Sequence, residues 1–122
     1  MNMKRAWLYC RTARPDATAL EIQKSCLIDC AGKLGLSIIG VSAEYGIGED
    51  FSRPGLCRAL EAAAGGEIDV VLVMKPSRLG RDSVKTDMCI HWLKEHGVNV
   101  VCADGTVLQP LSEILAWTDK RG

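Results

Sequence analysis

Four short apolar runs, at residues 6–10, 36–41, 68–74 and 98–103, alternate with longer segments whose apolar residues recur at spacings of three and four. No other feature of the chain constrains its fold as strongly. A strand shows a period of two or, when covered on both faces, an unbroken apolar stretch, whereas a helix shows a period near 3.6. Strand then helix, repeated with short connections, is the pattern of a parallel sheet sandwiched between helices. The expected fold is a three-layer α/β domain with a mainly parallel sheet of four strands, or five, and helices on both faces.

Local signals place the elements. After the run at 6–10, Asp16 opens a helical pattern carried by Leu20, Leu27, Ala31 and Leu34, and Gly35 stops it. The Ile- and Val-rich run at 36–41 gives way to a loop through Gly46, Gly48 and Ser52, and Pro54 begins a helix that lasts to about Gly65. The run at 68–74, bounded by Asp69 and Pro76, reads as a central strand buried on both faces. Asp82 or Ser83 caps a helix bearing Met88, Ile90, Trp92 and Leu93 that stops at Gly97. The strand at 98–103 ends at the Asp104-Gly105 turn, and a weak last helix is predicted over about 111–118.

Composition bounds the rest. The chain has 122 residues, 48% of them hydrophobic, enough for one domain over residues 1–122. No run approaches the roughly 20 apolar residues of a membrane span, and a cytoplasmic location is expected, without a membrane partner. Six cysteines, Cys10, Cys26, Cys30, Cys57, Cys89 and Cys102, are scattered without a Cys-x-x-Cys pair and read as reduced thiols. Cys26 and Cys30 lie one helical turn apart, but His91 and His96 belong to a distant packed helix, so neither a metal nor a cofactor is expected. With 15 basic and 15 acidic residues there is no global positive field, and nucleic-acid contact would rest on local arginine clustering.

Such clustering is present. In an open parallel sheet, ligands bind outside the carboxyl ends of the strands. Arg11 and Arg14 follow the first strand, Arg53 lies in the loop after the second, and Arg78 and Arg81 follow the third. A guanidinium is permanently charged and its fork of donors fits a phosphate, so three loops bringing arginines to one edge point to an anion-binding α/β domain suited to phosphate. Taken singly, each arginine is better read as a solvated residue or as a partner of Glu44, Glu49, Asp50 or Asp82, and it is the convergence of three loops that reverses this reading.

Tyr9-Cys10-Arg11-Thr12-Ala13 resembles the Tyr-x-Arg-x-Ser signature that closes the first strand of serine recombinases of the resolvase/invertase type. Gln23 in the first helix, the Gly46–Gly48 loop before Arg53-Pro54-Gly55-Leu56, and Ile68-Asp69-Val70-Val71 leading into Arg78-Leu79-Gly80-Arg81-Asp82 are similar to later blocks of that family, in order and spacing. His96-Gly97-Val98 and Asp104-Gly105 continue the match over nearly all of the chain. The resemblance implies a resolvase-like catalytic-type domain for metal-free DNA strand cleavage and exchange. In that reaction a serine attacks the scissile phosphate, a phosphoserine link to the 5′ DNA end forms, and subunits of a tetramer exchange before religation. It implies further that Arg11, Arg53, Arg78 and Arg81 hold the phosphate oxygens, that Gln23 adds a lesser contact, and that the partners are the DNA backbone and other recombinase subunits, as homodimer, tetramer or hetero-association with a related recombinase.

The chain departs from the family at the centre of this chemistry. Ala13 occupies the nucleophile's position, and a methyl group cannot attack phosphorus. Ser77 stands where the family has an acidic residue, and the loop reads Gly46-Ile47-Gly48-Glu49 in place of Gly-x-Ser-Gly. Neither the family's long dimerising helix nor its separate DNA-reading domain is expected within the stretch after Asp104-Gly105. Three readings follow: a recombinase domain without a nucleophile that keeps its phosphate and subunit contacts; an active one using the hydroxyl of Thr12 or Ser77, although Thr12 should point away from Ala13; and a non-catalytic interaction or regulatory module whose arginines are paired with carboxylates such as Glu44 or Asp82. A phosphatase or nucleotide-binding domain has the same sheet edge, but the Cys-x5-Arg loop and the P-loop are missing.

Overall fold

A computed structural model describes residues 3–48 and 50–110. The order of elements is β1 (Arg5–Thr12), α1 (Ala17–Lys33), β2 (Ser37–Tyr45), α2 (Pro54–Ala64), β3 (Val70–Val73), α3 (Pro76–Leu79), α4 (Ser83–Glu95), β4 (Asn99–Cys102) and β5 (Val107–Leu108). The strands form one sheet in the order β2-β1-β3-β4-β5, parallel except for β5, which runs antiparallel to β4 after the turn at Gly105. The expected four strands are present, with the short fifth added. The weak helix expected near 111–118 lies outside the described residues.

Alternation along β1 divides the core into two layers. Ala6, Leu8 and Cys10 join Val70 and Leu72 on the face covered by Leu27 and Ala31 of α1. Trp7 and Tyr9 join Val71, Val73, Val100 and Cys102 on the face covered by Leu56, Ala59 and Ala63 of α2 and by Ile90 and Leu93 of α4. β3 is buried along its whole length, as its unbroken apolar run predicts. The helix starts also follow the sequence: the Asp16 carboxylate accepts from the Ala19 amide, Asp82 accepts from the Lys85 amide, and Pro54 occupies the first turn of α2.

Not every apolar residue of the helical patterns faces inward. Met88 and Trp92 do not pack into the core. With Val84 they form the outer side of α4, Met88 being 64% exposed, because Ile90 and Leu93 take the inward positions. Leu34 is likewise exposed, since it lies past the last turn of α1.

The edge between β1 and β2 carries one irregularity. The register shifts between Ala6 and Trp7, leaving Ile39 as the extra residue, and a Cβ on Gly40 would stand 2.3 Å from the Trp7 ring. Glycine is required there by space. The Trp7 indole N–H donates to Ser42 Oγ at 2.9 Å, and that hydroxyl donates to the Gly55 carbonyl at 2.8 Å, fixing β1, β2 and α2 to one another.

Because β1 lies between β2 and β3, the chain leaves it toward α1 on one face and returns to β3 by way of α2 on the other. The strands diverge from this switch point, and the crevice at their carboxyl ends is where such folds bind ligands. Among the described residues no helix is long and apolar enough to cross a membrane.

All six cysteines are free thiols; Cys10, Cys89 and Cys102 are buried and Cys26 is exposed. Burial pushes the Cys10 and Cys89 thiols up to about 11 from the ordinary 9.0. The fold thus favours their neutral forms, so their contribution to stability is complete below pH 9.0 and is lost as the pH rises toward about 11. Urea midpoints should fall across that window and fall less in Cys10→Ala/Cys89→Ala. At neutral pH an alkylating reagent should modify Cys26 first and reach Cys10 and Cys89 only on unfolding, as read by peptide mass spectrometry.

Candidate phosphate-binding site

Parity along β1 sends Arg11 to the same face as Trp7 and Tyr9, directly beneath the crevice. Its side chain is wholly buried. Nε donates to the Arg78 carbonyl at 3.0 Å, Nη1 to the Gly46 carbonyl at 2.8 Å, and Nη2 to the Ser77 carbonyl. Arg53, the residue before α2, is only 3% exposed. Its Nε donates to the Asp50 carbonyl, Nη1 to the Tyr9 hydroxyl at 2.8 Å, and Nη2 to the Leu79 carbonyl. Three consecutive carbonyls, those of Ser77, Arg78 and Leu79, are therefore held by two guanidiniums from other parts of the chain. These belong to the last turn of α3, where a helix has no partners of its own to offer.

The expected arginine–carboxylate pairs are not formed by the described residues. Glu44 instead accepts from the Gly55 and Leu56 amides at 2.8 and 3.0 Å, closing the first turn of α2, and from the Tyr9 hydroxyl at 2.7 Å. A Cβ on Gly55 would lie 2.7 Å from that carboxylate, which explains the glycine after Pro54. Asp82 is used as a helix cap, and the Asp50 carboxylate is taken by Ser52. Glu49 lies outside the described residues.

Burial first, and Arg53, Arg78 and Arg81 next, lower the Arg11 pKa from its ordinary value. Arg53, Arg78 and Arg81 thus each lie within electrostatic reach of Arg11. Burial and the bond to Glu44 push the Tyr9 phenol well above its usual range, so it stays protonated and can donate to Glu44 while accepting from Arg53.

Arg78 and Arg81 differ from the buried pair. Arg78 is half-buried, and its Nε is enclosed with no hydrogen-bond partner among the described residues. Arg81 is exposed; its amide bonds the Gly48 carbonyl at 2.9 Å, and a Cβ on Gly48 would lie 2.7 Å from its side chain. Ser77 and Arg81 line a cleft of about 440 Å³ with Gly80, Ser83, Thr86 and Gln109. Ala13, just beyond the end of β1, and Arg14 are exposed. Thr12 is buried, and its hydroxyl donates to the Arg14 carbonyl at 2.7 Å. Gln23 does not present its amide to the crevice. It donates to the Arg11 carbonyl at 3.0 Å and accepts from the Arg11 amide at 3.3 Å, securing the end of β1 to α1.

Sequence reasoning named the arginines but not the carbonyls that two of them hold. The short α3 gave only one signal, Pro76 at its first position. Tyr9 and Glu44 could be paired only by knowing that β1 and β2 are neighbours, with Arg11 opposite Glu44 in register. Removing the hydroxyl in Tyr9→Phe leaves a buried Arg53 N–H and a Glu44 oxygen short of a partner. Urea denaturation should show a loss of about 1–3 kcal/mol.

Comparison with solved structures agrees with this architecture. The C-terminal catalytic domain of ISC1926 TnpA, an IS607-like serine recombinase, is 28% identical with a TM-score of 0.77, the match covering 91% of this chain and 77% of that one. A resolvase family site-specific recombinase from Streptococcus pneumoniae shares the fold at 23% identity and a TM-score of 0.77, over 96% of this chain and 86% of the other. The N-terminal catalytic domain of TP901-1 integrase does so at 20% identity and a TM-score of 0.75, over 83% and 78% of the two chains. The family model described as the resolvase N-terminal domain matches residues 6–116, and this chain therefore belongs to the resolvase family, with the fold of a serine recombinase catalytic domain.

Proposed function

We propose that this domain binds the phosphate backbone of DNA, within an assembly of recombinase subunits, without forming the covalent protein–DNA link. The observation that carries the reading is the enclosed Arg78 Nε, a charged donor with no acceptor among the described residues, beside exposed Arg81. An enclosed guanidinium N–H without a partner is costly, and turning the half-exposed Arg78 side chain outward onto a phosphate oxygen would exchange that cost for a charge-assisted bond. Arg11 and Arg53 strengthen the field there, because main-chain carbonyls supply hydrogen bonds but no neutralising charge. Ala13, exposed just beyond the end of β1, offers no nucleophile. The inward turn of Arg11 and Arg53 also favours the second reading, a non-catalytic interaction module. That reading differs in predicting no affinity for DNA.

Fluorescence anisotropy with a short duplex over a salt series separates the two. Affinity should fall steeply with salt, and Arg78→Ala and Arg81→Ala should each weaken binding and lower the slope of log K against log[salt] by about 0.9. Absence of binding at low salt would overturn the phosphate reading in favour of the interaction module. Mass spectrometry of the chain after incubation with DNA should show no adduct; a phosphorylated Thr12 or Ser77 bearing DNA would establish an active recombinase instead.

A further inference from the structure

We propose that Arg11 and Arg53 are positioning residues which act through Arg78, rather than phosphate ligands in their own right. The inference rests on the phosphate-binding reading and goes beyond it, because it divides the four arginines into two that touch DNA and two that aim them. Arg11 has no exposed surface and Arg53 almost none, so a phosphate oxygen cannot reach either guanidinium without displacing α3. What both do reach is the main chain of that helix. Arg11 spans the Ser77 and Arg78 carbonyls and anchors them to the Gly46 carbonyl of the loop after β2. Arg53 takes the next carbonyl, Leu79, and is itself fixed by Tyr9 and the Asp50 carbonyl. Its guanidinium also lies over the rings of Tyr9 and Phe51, at 5.5 and 5.4 Å.

The helix so gripped has four residues, too few to hold its own shape. It nevertheless carries Ser77 and Arg78 and leads directly into Arg81. The turn that follows is tightly packed: a Cβ on Gly80 would fall 2.1 Å from the Phe51 ring. Orientation of the Arg78 guanidinium is therefore set by bonds to main-chain oxygens on either side of its own α-carbon. Lysine in place of Arg11 keeps the charge but places three donors on one nitrogen, which cannot replace three bonds directed from three nitrogens.

The test is a double-mutant cycle read by anisotropy with a short duplex over a salt series, on wild type, Arg11→Lys, Arg53→Lys, Arg78→Ala and each lysine variant combined with Arg78→Ala. If Arg11 and Arg53 act through Arg78, each charge-conserving lysine variant lowers the salt slope by about 0.9, as if a charge had been removed. Each double variant then binds no more weakly than Arg78→Ala alone. Additive losses with an unchanged slope in the lysine variants, while wild type binds, would overturn the positioning role and leave the phosphate reading standing. No binding by wild type at low salt would overturn both. A measurement on wild type alone guards against misfolded variants: in ¹⁵N spectra of the arginine Nε–H groups, adding duplex should shift the Arg78 signal and leave those of Arg11 and Arg53 in place. Movement of the Arg11 and Arg53 signals to the same extent as that of Arg78 would overturn the proposal.

Discussion

A guanidinium taken out of water without a carboxylate must be met by oxygen from somewhere, and in this domain the main chain supplies it. Desolvating a charge costs several kcal/mol even after relaxation, so a buried arginine persists only where its donors are satisfied. Arg11 and Arg53 are satisfied chiefly by carbonyls, and those carbonyls come from the strand-to-helix connection after β3 and the loop after β2. The rest of the crevice follows. Tyr9 and Glu44 are placed to complete the Arg53 bonds and the first turn of α2, and Gln23 holds the main chain from which Arg11 springs.

This arrangement accounts for the two kinds of arginine at one edge of the sheet. Charges held by neutral acceptors still project a positive potential, whereas charges held by carboxylates do not. The Arg11 pKa is lowered by its cationic neighbours after burial itself, a sign that Arg53, Arg78 and Arg81 each lie close enough to repel Arg11. Such repulsion between like charges is unfavourable, and a nearby anion would relieve it. Just beyond the end of β1, the exposed Ala13 offers only a methyl group.

The fold was legible in the sequence to the extent that its elements obey local rules. The Val-rich run of β3, the Asp16 and Asp82 caps and Pro54 each announced an element that the structure contains. The antiparallel β5 and the four-residue α3 have too few residues to show a period. Of the apolar residues that marked α4, Met88 and Trp92 lie outward, because the helix has room for one inward stripe and Ile90 and Leu93 occupy it. At the site, residue type named the arginines, but which of them are buried depends on strand parity and on carbonyls distant in sequence. Arg11 and Ser77 are 66 positions apart, and no local pattern joins them.

Because the grip on residues 77–79 is made to main-chain oxygens, it is indifferent to the side chains those residues carry. Ser77 occupies the position where the family is expected to have an acid, and its carbonyl still accepts from Arg11. Scaffold and chemistry are thus uncoupled at this point: one residue's backbone holds the architecture while its side chain is free to change. A domain built in this way can exchange the side chain at position 77 and keep its shape, because the bonds that hold the turn never involve that side chain.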